Sequence, residues 1–225
     1  MAKIIISYDG TANEDDALAL GALLACAGAE VALAYVRHNQ ETVSDTEANE
    51  VLARGAKLFG DPGVATFVVN ATSTPEGLAA LAADQGAELI VFCSDSHTAK
   101  GHIGVGNSAQ HLIEGGSTAV AVAPADFAER DRGEGVASIV AVGDGDGGAR
   151  ETAQALAAAL GAKVAPVAND DAGLLVLDSR ADAEPGKVSI TSSASYLVDV
   201  ARCPVLVLAR GHAIRFGSSA AANAA

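Results

Sequence analysis

Short runs of Val, Ile and Leu alternate with longer Ala-rich segments along almost the whole chain, and this alternation narrows the fold more than any other feature. "KIIISY" at 3–8 is a near-continuous apolar run, the pattern of a strand covered on both faces. A helix is predicted over 14–27, with Asn13 as N-cap, Glu14 to Asp16 at its positive end and Gly28 as its stop. "EVALAYV" at 30–36 reads as the next strand, "DTEANEVLARGAKLFG" as a helix and "GVATFVV" as a third strand. "TPEGLAALAADQG" is helical, with Pro75 near its first turn and Gly86 at its end. "AELIVFC" at 87–93 is a fourth strand, 107–115 a short helix and 118–124 a fifth strand. Strands and helices in strict alternation imply an α/β protein with an open parallel sheet.

After a polar stretch the pattern restarts. "IIISYDG" at 4–10 matches "IVAVGDG" at 139–145, an offset of 135 that lays Asp9 over Asp144. Further on the offset is 85, with "ELIVFCS" at 88–94 over "GLLVLDS" at 173–179 and "NSAQHLIE" at 107–114 over "SSASYLVD" at 192–199. Two tandem repeats follow, at 1–125 and 136–211, with a linker at 126–135 and a flexible, low-complexity tail at 212–225. The second repeat is shorter by 50 residues. Its expected three-strand core is 138–143, 174–178 and 204–209, with helices at 147–160 and 191–201. "GAKVAPVA" at 161–168 has strand composition, but only "NDDAG" separates it from the next strand, whereas parallel strands need a crossover of about a dozen residues. It is therefore expected to cross the base of the sheet or form a short, marginal edge.

Composition excludes several function classes. With 14 Lys and Arg against 28 Asp and Glu, the net charge of −14 argues against binding nucleic acid or an anionic membrane. Cys26, Cys93 and Cys203 lack the spacing of a disulfide framework or zinc site and suggest a reducing compartment. The N-terminus lacks a signal-peptide pattern, and the apolar stretch at 17–29 is too short to span a bilayer. A cytoplasmic protein is expected.

In an open parallel sheet, ligands bind beyond the carboxyl ends of the strands. Two segments qualify: "SYDGT" at 7–11 and "CSDSHTAKGHIGVGNS" at 93–108. In the latter, Gly101, Gly104 and Gly106 allow close backbone approach, Asn107 and Ser108 open a helix, and Lys100, His97 and His102 are nearby cations. Other constellations are weaker. Asp9, Asp95, His97 and His102 are a candidate cation cluster, and Cys93 beside His97 a candidate reactive thiol, against plain readings as solvated loop and buried small residue. Ser94 and Ser108 lie near His97, His102 and His111, yet no nucleophile elbow supports hydrolysis, and no Walker A or dinucleotide fingerprint is present. "GDGDGG" at 143–148 lacks the full ligand pattern of a calcium loop and reads as a strand-to-helix turn.

The Asp-Gly-Thr after strand one, the unit running from strand four through a glycine loop into a helix, and the ending "ARCPVLVLARG" at 201–211 together resemble the universal stress protein family. The resemblance implies the adenine-nucleotide alpha-hydrolase-like fold, which is Rossmann-like, with strand order 3-2-1-4-5. It implies a stress-response regulatory module that binds ATP or AMP, with Mg²⁺ only alongside nucleotide. The implied binding residues are Asp9 and Gly10, the strand-two positions Tyr35 and Val36 as the adenine wall, and Cys93, Ser94, Ser96, Lys100, Gly104, Gly106, Asn107 and Ser108 in the loop. On this pose, Lys100→Glu is expected to weaken binding. The family's motif spaces Gly, two residues, Gly, nine residues, then Gly-Ser/Thr; here the first two glycines are replaced by Cys93 and Ser96, and Asn107 follows Gly106. The second repeat retains no glycine at Asp178, Ala181, Thr191 and Ser192, so it is expected to bind no nucleotide. Other readings stay open: a slow Mg²⁺-dependent nucleotide hydrolase, or an interaction module without nucleotide. The helix at 14–27, apolar nearly all round, calls for cover beyond the sheet. An internal pseudo-dimer is therefore expected, with 118–124 beside 204–209 as in family dimers, and a homodimer beyond it is open.

Overall fold

A computed structural model describes residues 1–11, 13–38, 43–130, 135–143, 147–166 and 172–217. Expectations for Asp144, the rest of the glycine turn at 144–146, residues 131–134 of the linker, 167–171 and the tail at 218–225 lie outside the described residues.

The chain begins β1 (Lys3–Ser7), α1 (Glu14–Cys26), β2 (Glu30–His38), α2 (Asp45–Phe59), β3 (Ala65–Ala71), α3 (Thr74–Gln85), β4 (Leu89–Cys93), α4 (Asn107–Ile113) and β5 (Ala119–Ala123). Then come α5 (Phe127–Arg130), β6 (Ser138–Val142), α6 (Gly148–Leu160), β7 (Lys163–Ala165), β8 (Leu174–Leu177), α7 (Ser192–Val200) and β9 (Val205–Val207). Local chemistry accounts for the helix ends. Ser44 and Glu47 form a reciprocal capping box on α2, and Ser73 caps α3, whose stop is Gly86 in the left-handed region.

The nine strands among the described residues join one sheet in the order β3-β2-β1-β4-β5-β9-β8-β6-β7. The first five keep the order 3-2-1-4-5 and are parallel. β9 pairs antiparallel with β5, Ala121 opposite Leu206, and parallel with β8. The last strands of the two halves are thus neighbours, as expected, and because they run in opposite directions the carboxyl ends of β1 and β6 lie at opposite edges of the sheet. Ile4 and Ile6 enter the core on one face and Ile5 the core on the other, the alternation of a strand covered on both sides.

Three expectations need correction. First, the cover over α1 comes from α2 and from α5, just beyond the first half, rather than mainly from the second half. Second, α5 occupies the start of the expected linker. Asp16 on α1 is buried, and its carboxylate accepts from the backbone N–H groups of Asp126 (2.9 Å) and Ala128 (2.8 Å), tying this turn down. Third, residues 212–217 are not a free tail. Ile214 and Phe216 are buried in the core shared with α1 and α6, the Ile214 N–H donates to Thr152 Oγ1 (2.9 Å), and the Gly217 N–H donates to the Ala27 carbonyl (2.8 Å). Two large apolar side chains repay the ordering of this strap.

The described part of the segment at 161–168 takes the form of a short edge. β7 is three residues long, pairs parallel with β6 and exposes Lys163 and Val164. Its shortness makes the return feasible. The eight residues 166–173 span at most about 3.3–3.6 Å each, enough to pass back along a three-residue strand.

Candidate functional site

In the first half the direction of connection reverses between β1 and β4, which opens a crevice at their carboxyl ends. A cavity of about 340 Å³ lies there. It is lined by Ser7, Asp9, Thr11 and Glu14 from the first crossover, Thr74 from α3, Phe92 to Ser96 from β4 and its loop, and Gly106 to Ala109 from the start of α4.

Of the residues singled out from the sequence, Asp9, Cys93, Ser94, Ser96, Gly106, Asn107 and Ser108 line the cavity. Tyr35 and Val36 do not; both are buried, on opposite faces of β2. Thr74 and Phe92 supply wall where strand two was expected to. Gly104 lies behind the loop, its N–H donating to Ser94 Oγ (3.2 Å). Gly10 has φ +80°, a left-handed backbone that favours glycine where the loop passes beside Val51 and Arg54 of α2. Lys100 turns away from the cavity: its ammonium lies 2.6 Å from Asp126 and 3.8 Å from Glu129. His97 is almost fully exposed, its ring 3.4 Å from Asp95. Asp9, Asp95, His97 and His102 do not gather; among the described residues no group of three or more His, Cys, Asp and Glu is placed to hold a metal ion.

Glu14 was missed as a site residue because its helical position reads as an ordinary acid in a first turn. Its carboxylate accepts from the N–H of Asp9 at 2.9 and 2.7 Å and from that of Gly10 at 2.5 Å, which pins the loop after β1. Burial, followed by the charge of Asp9, pushes Glu14 up to about 8 even though these N–H groups favour the carboxylate. Burial likewise pushes Cys93 up to about 12, so it stands as a neutral thiol rather than a nucleophile. Asp95, whose Oδ1 accepts from the His97 N–H at 3.1 Å, is held below the usual carboxylate range and stays ionised.

In the second half the position 85 residues after Cys93 is Asp178. Its Oδ1 accepts from the Ala149 N–H at 2.6 Å, so the first turn of α6 is met by the protein's own carboxylate. A Cβ on Gly148 would lie 2.5 Å from the carbonyl oxygen of His212, which shows how closely the strap crosses this turn.

No protein-family model matches the sequence, and no curated protein sequence matches it either. Solved structures do. A functionally unknown protein of Pseudomonas aeruginosa PAO1 is similar with a TM-score of 0.66 at 17% identity, over 93% of both chains. A universal stress protein from Archaeoglobus fulgidus DSM 4304 is similar with a TM-score of 0.58 at 16% identity, over 93% of this chain and 98% of that one. The chain has the universal stress protein fold. A structure from Pseudomonas aeruginosa UCBPP-PA14, provisionally described as a universal stress protein, agrees with a TM-score of 0.63 at 18% identity, over 92% of this chain and 93% of that one. Each likeness covers 92–93% of this chain and so runs through both halves. Among the described residues, no helix is long and apolar enough to cross a membrane.

Proposed function

We propose that this chain is a universal stress protein, a binding and regulatory module of a stress response whose first-half crevice takes a ligand built on an adenine nucleoside. The observation that carries the reading is the cavity at the β1–β4 reversal, the position where open parallel sheets bind ligands and within the size range of small-molecule sites. The nucleoside part of ATP or AMP suits the lining: Asp9 and Asp95 accept hydrogen bonds, and Ser96 and Ser108 bring hydroxyls. The phosphate part does not, because among the described residues no Lys or Arg lines the cavity. The second half binds no nucleotide in this reading, consistent with the engagement of Asp178 at α6. A neutral Cys93 thiol, a Glu14 bound to backbone and a solvent-facing His97 favour binding over catalysis. The test is to denature purified protein, identify by mass any adenine compound released, and titrate the emptied protein with that compound in a calorimeter. Saturable binding at one site per chain without turnover is the expected result; steady hydrolysis would favour an enzyme.

A further inference from the structure

We infer that the first-half crevice selects against phosphate, so that an uncharged nucleoside binds more tightly than its mono- or triphosphate. The inference rests on the functional reading above and adds to it the charge of the ligand.

Three carboxyl groups reach the cavity from three directions: Asp9 after β1, Glu14 from α1 and Asp95 after β4. The nearest cations are committed elsewhere. Lys100 pairs with Asp126 and Glu129. His97 faces solvent beside Asp95. Arg54 lies against the outer side of Gly10 and hydrogen-bonds Tyr8. The glycines that would let backbone amides approach a phosphate are replaced by Cys93 and Ser96, whose side chains line the cavity instead. A polyphosphate placed here would add negative charge beside the carboxylates of Asp9 and Asp95 within a chain of net charge −14. A neutral nucleoside avoids that repulsion. Its ribose hydroxyls and exocyclic amine are donors, and the carboxylates of Asp9 and Asp95 are acceptors on the lining. The wall therefore discriminates by charge: it keeps the donors of the sugar and base useful and makes each added phosphate unfavourable.

The test is calorimetric titration of the full chain, emptied of any bound compound, with adenosine, AMP and ATP in turn at about 25 mM salt and with chelator present, then again at about 300 mM salt. The expected order of affinity is adenosine, AMP, ATP, with adenosine at least tenfold tighter than ATP at low salt and the gap narrowing at high salt. Asp95→Asn, which removes one negative charge from the lining, should narrow the low-salt gap between adenosine and ATP, and an unchanged gap would overturn the charge selection. ATP binding as tightly as adenosine or more tightly at low salt would overturn the charge selection while leaving the crevice as a nucleotide site. Failure of all three to bind would overturn the functional reading itself, and this inference with it.

Discussion

Ser94 and Ser179, 85 residues apart, make the same two hydrogen bonds. Each hydroxyl donates to a carbonyl 29 residues onward, Ala123 at 2.7 Å and Leu208 at 2.6 Å. Each also accepts from an N–H ten residues onward, Gly104 at 3.2 Å and Ser189 at 2.9 Å. The backbone repeats the spacing. Asp95 N–H to the Gly104 carbonyl is matched by Arg180 to Ser189, and Gly101 to Ala125 by Gly186 to Arg210. Both serines are buried, so their removal leaves a carbonyl and an N–H without their partner. Ser94→Ala and Ser179→Ala should each cost about 1–3 kcal/mol in denaturant unfolding. Only Ser94→Ala should also weaken ligand binding, because its loop borders the first-half cavity.

Lys100 lies at the rim of the loop yet spends its charge on Asp126 and Glu129. Lys100→Glu should therefore change ligand affinity by less than about twofold at physiological salt, where charges more than about 8 Å apart are screened. A large loss of affinity in calorimetry would mean that the ammonium swings into the crevice when ligand arrives.

Glu14 sets a pH dependence. Its value in the folded protein is about 8 against an ordinary 4.5, so between these limits the folded state holds a proton that the unfolded chain has released. The contribution is fully present below pH 4.5 and is lost as pH rises toward 8. Glu14→Gln keeps one acceptor oxygen for the Asp9–Gly10 loop and cannot titrate. The melting temperature of the native protein should fall relative to that of Glu14→Gln as pH is raised from 4.5 to 8, and a constant difference across the range would contradict this assignment.

The strap at 212–217 joins the halves through Ile214, Phe216 and the Gly217–Ala27 hydrogen bond. Phe216→Ala should cost about 3–5 kcal/mol and Ile214→Ala about 2–5 kcal/mol, the range for buried large-to-small changes. Unfolding followed separately by probes in each half should show both destabilised, since α1 and α6 share the core these side chains enter.

Asp16 joins α1 to α5 by two hydrogen bonds to backbone N–H groups. Asp16→Ala should destabilise the protein by about 1–3 kcal/mol. Hydrogen exchange should speed up at Asp126 and Ala128 before it does so elsewhere in the first half.

Sequence alone determined the elements of this protein and their kind. Apolar runs such as Ile4–Ile6 and Leu89–Phe92 specify strands buried on both faces, while Pro75 and Gly86 mark the ends of a helix, because periodicity and helix-end signals act within a few residues. The 85-residue offset was legible for the same reason, and it later matched hydrogen bonds as well as residue types. The segments that form the crevice could be named because ligand position in an open sheet follows from topology. Only the tertiary structure decided which side chains face into it. Lys100 turns outward because Asp126 comes near it in space, Glu14 turns inward because two backbone N–H groups await its carboxylate, and Tyr35 is consumed by core packing. It also decided the antiparallel β5–β9 seam and the burial of Ile214 and Phe216. Apart from Glu14, whose N–H partners lie four and five positions away, these outcomes depend on charge pairing and apolar contact between residues tens to hundreds of positions apart, and no local pattern records which distant surface a side chain will meet.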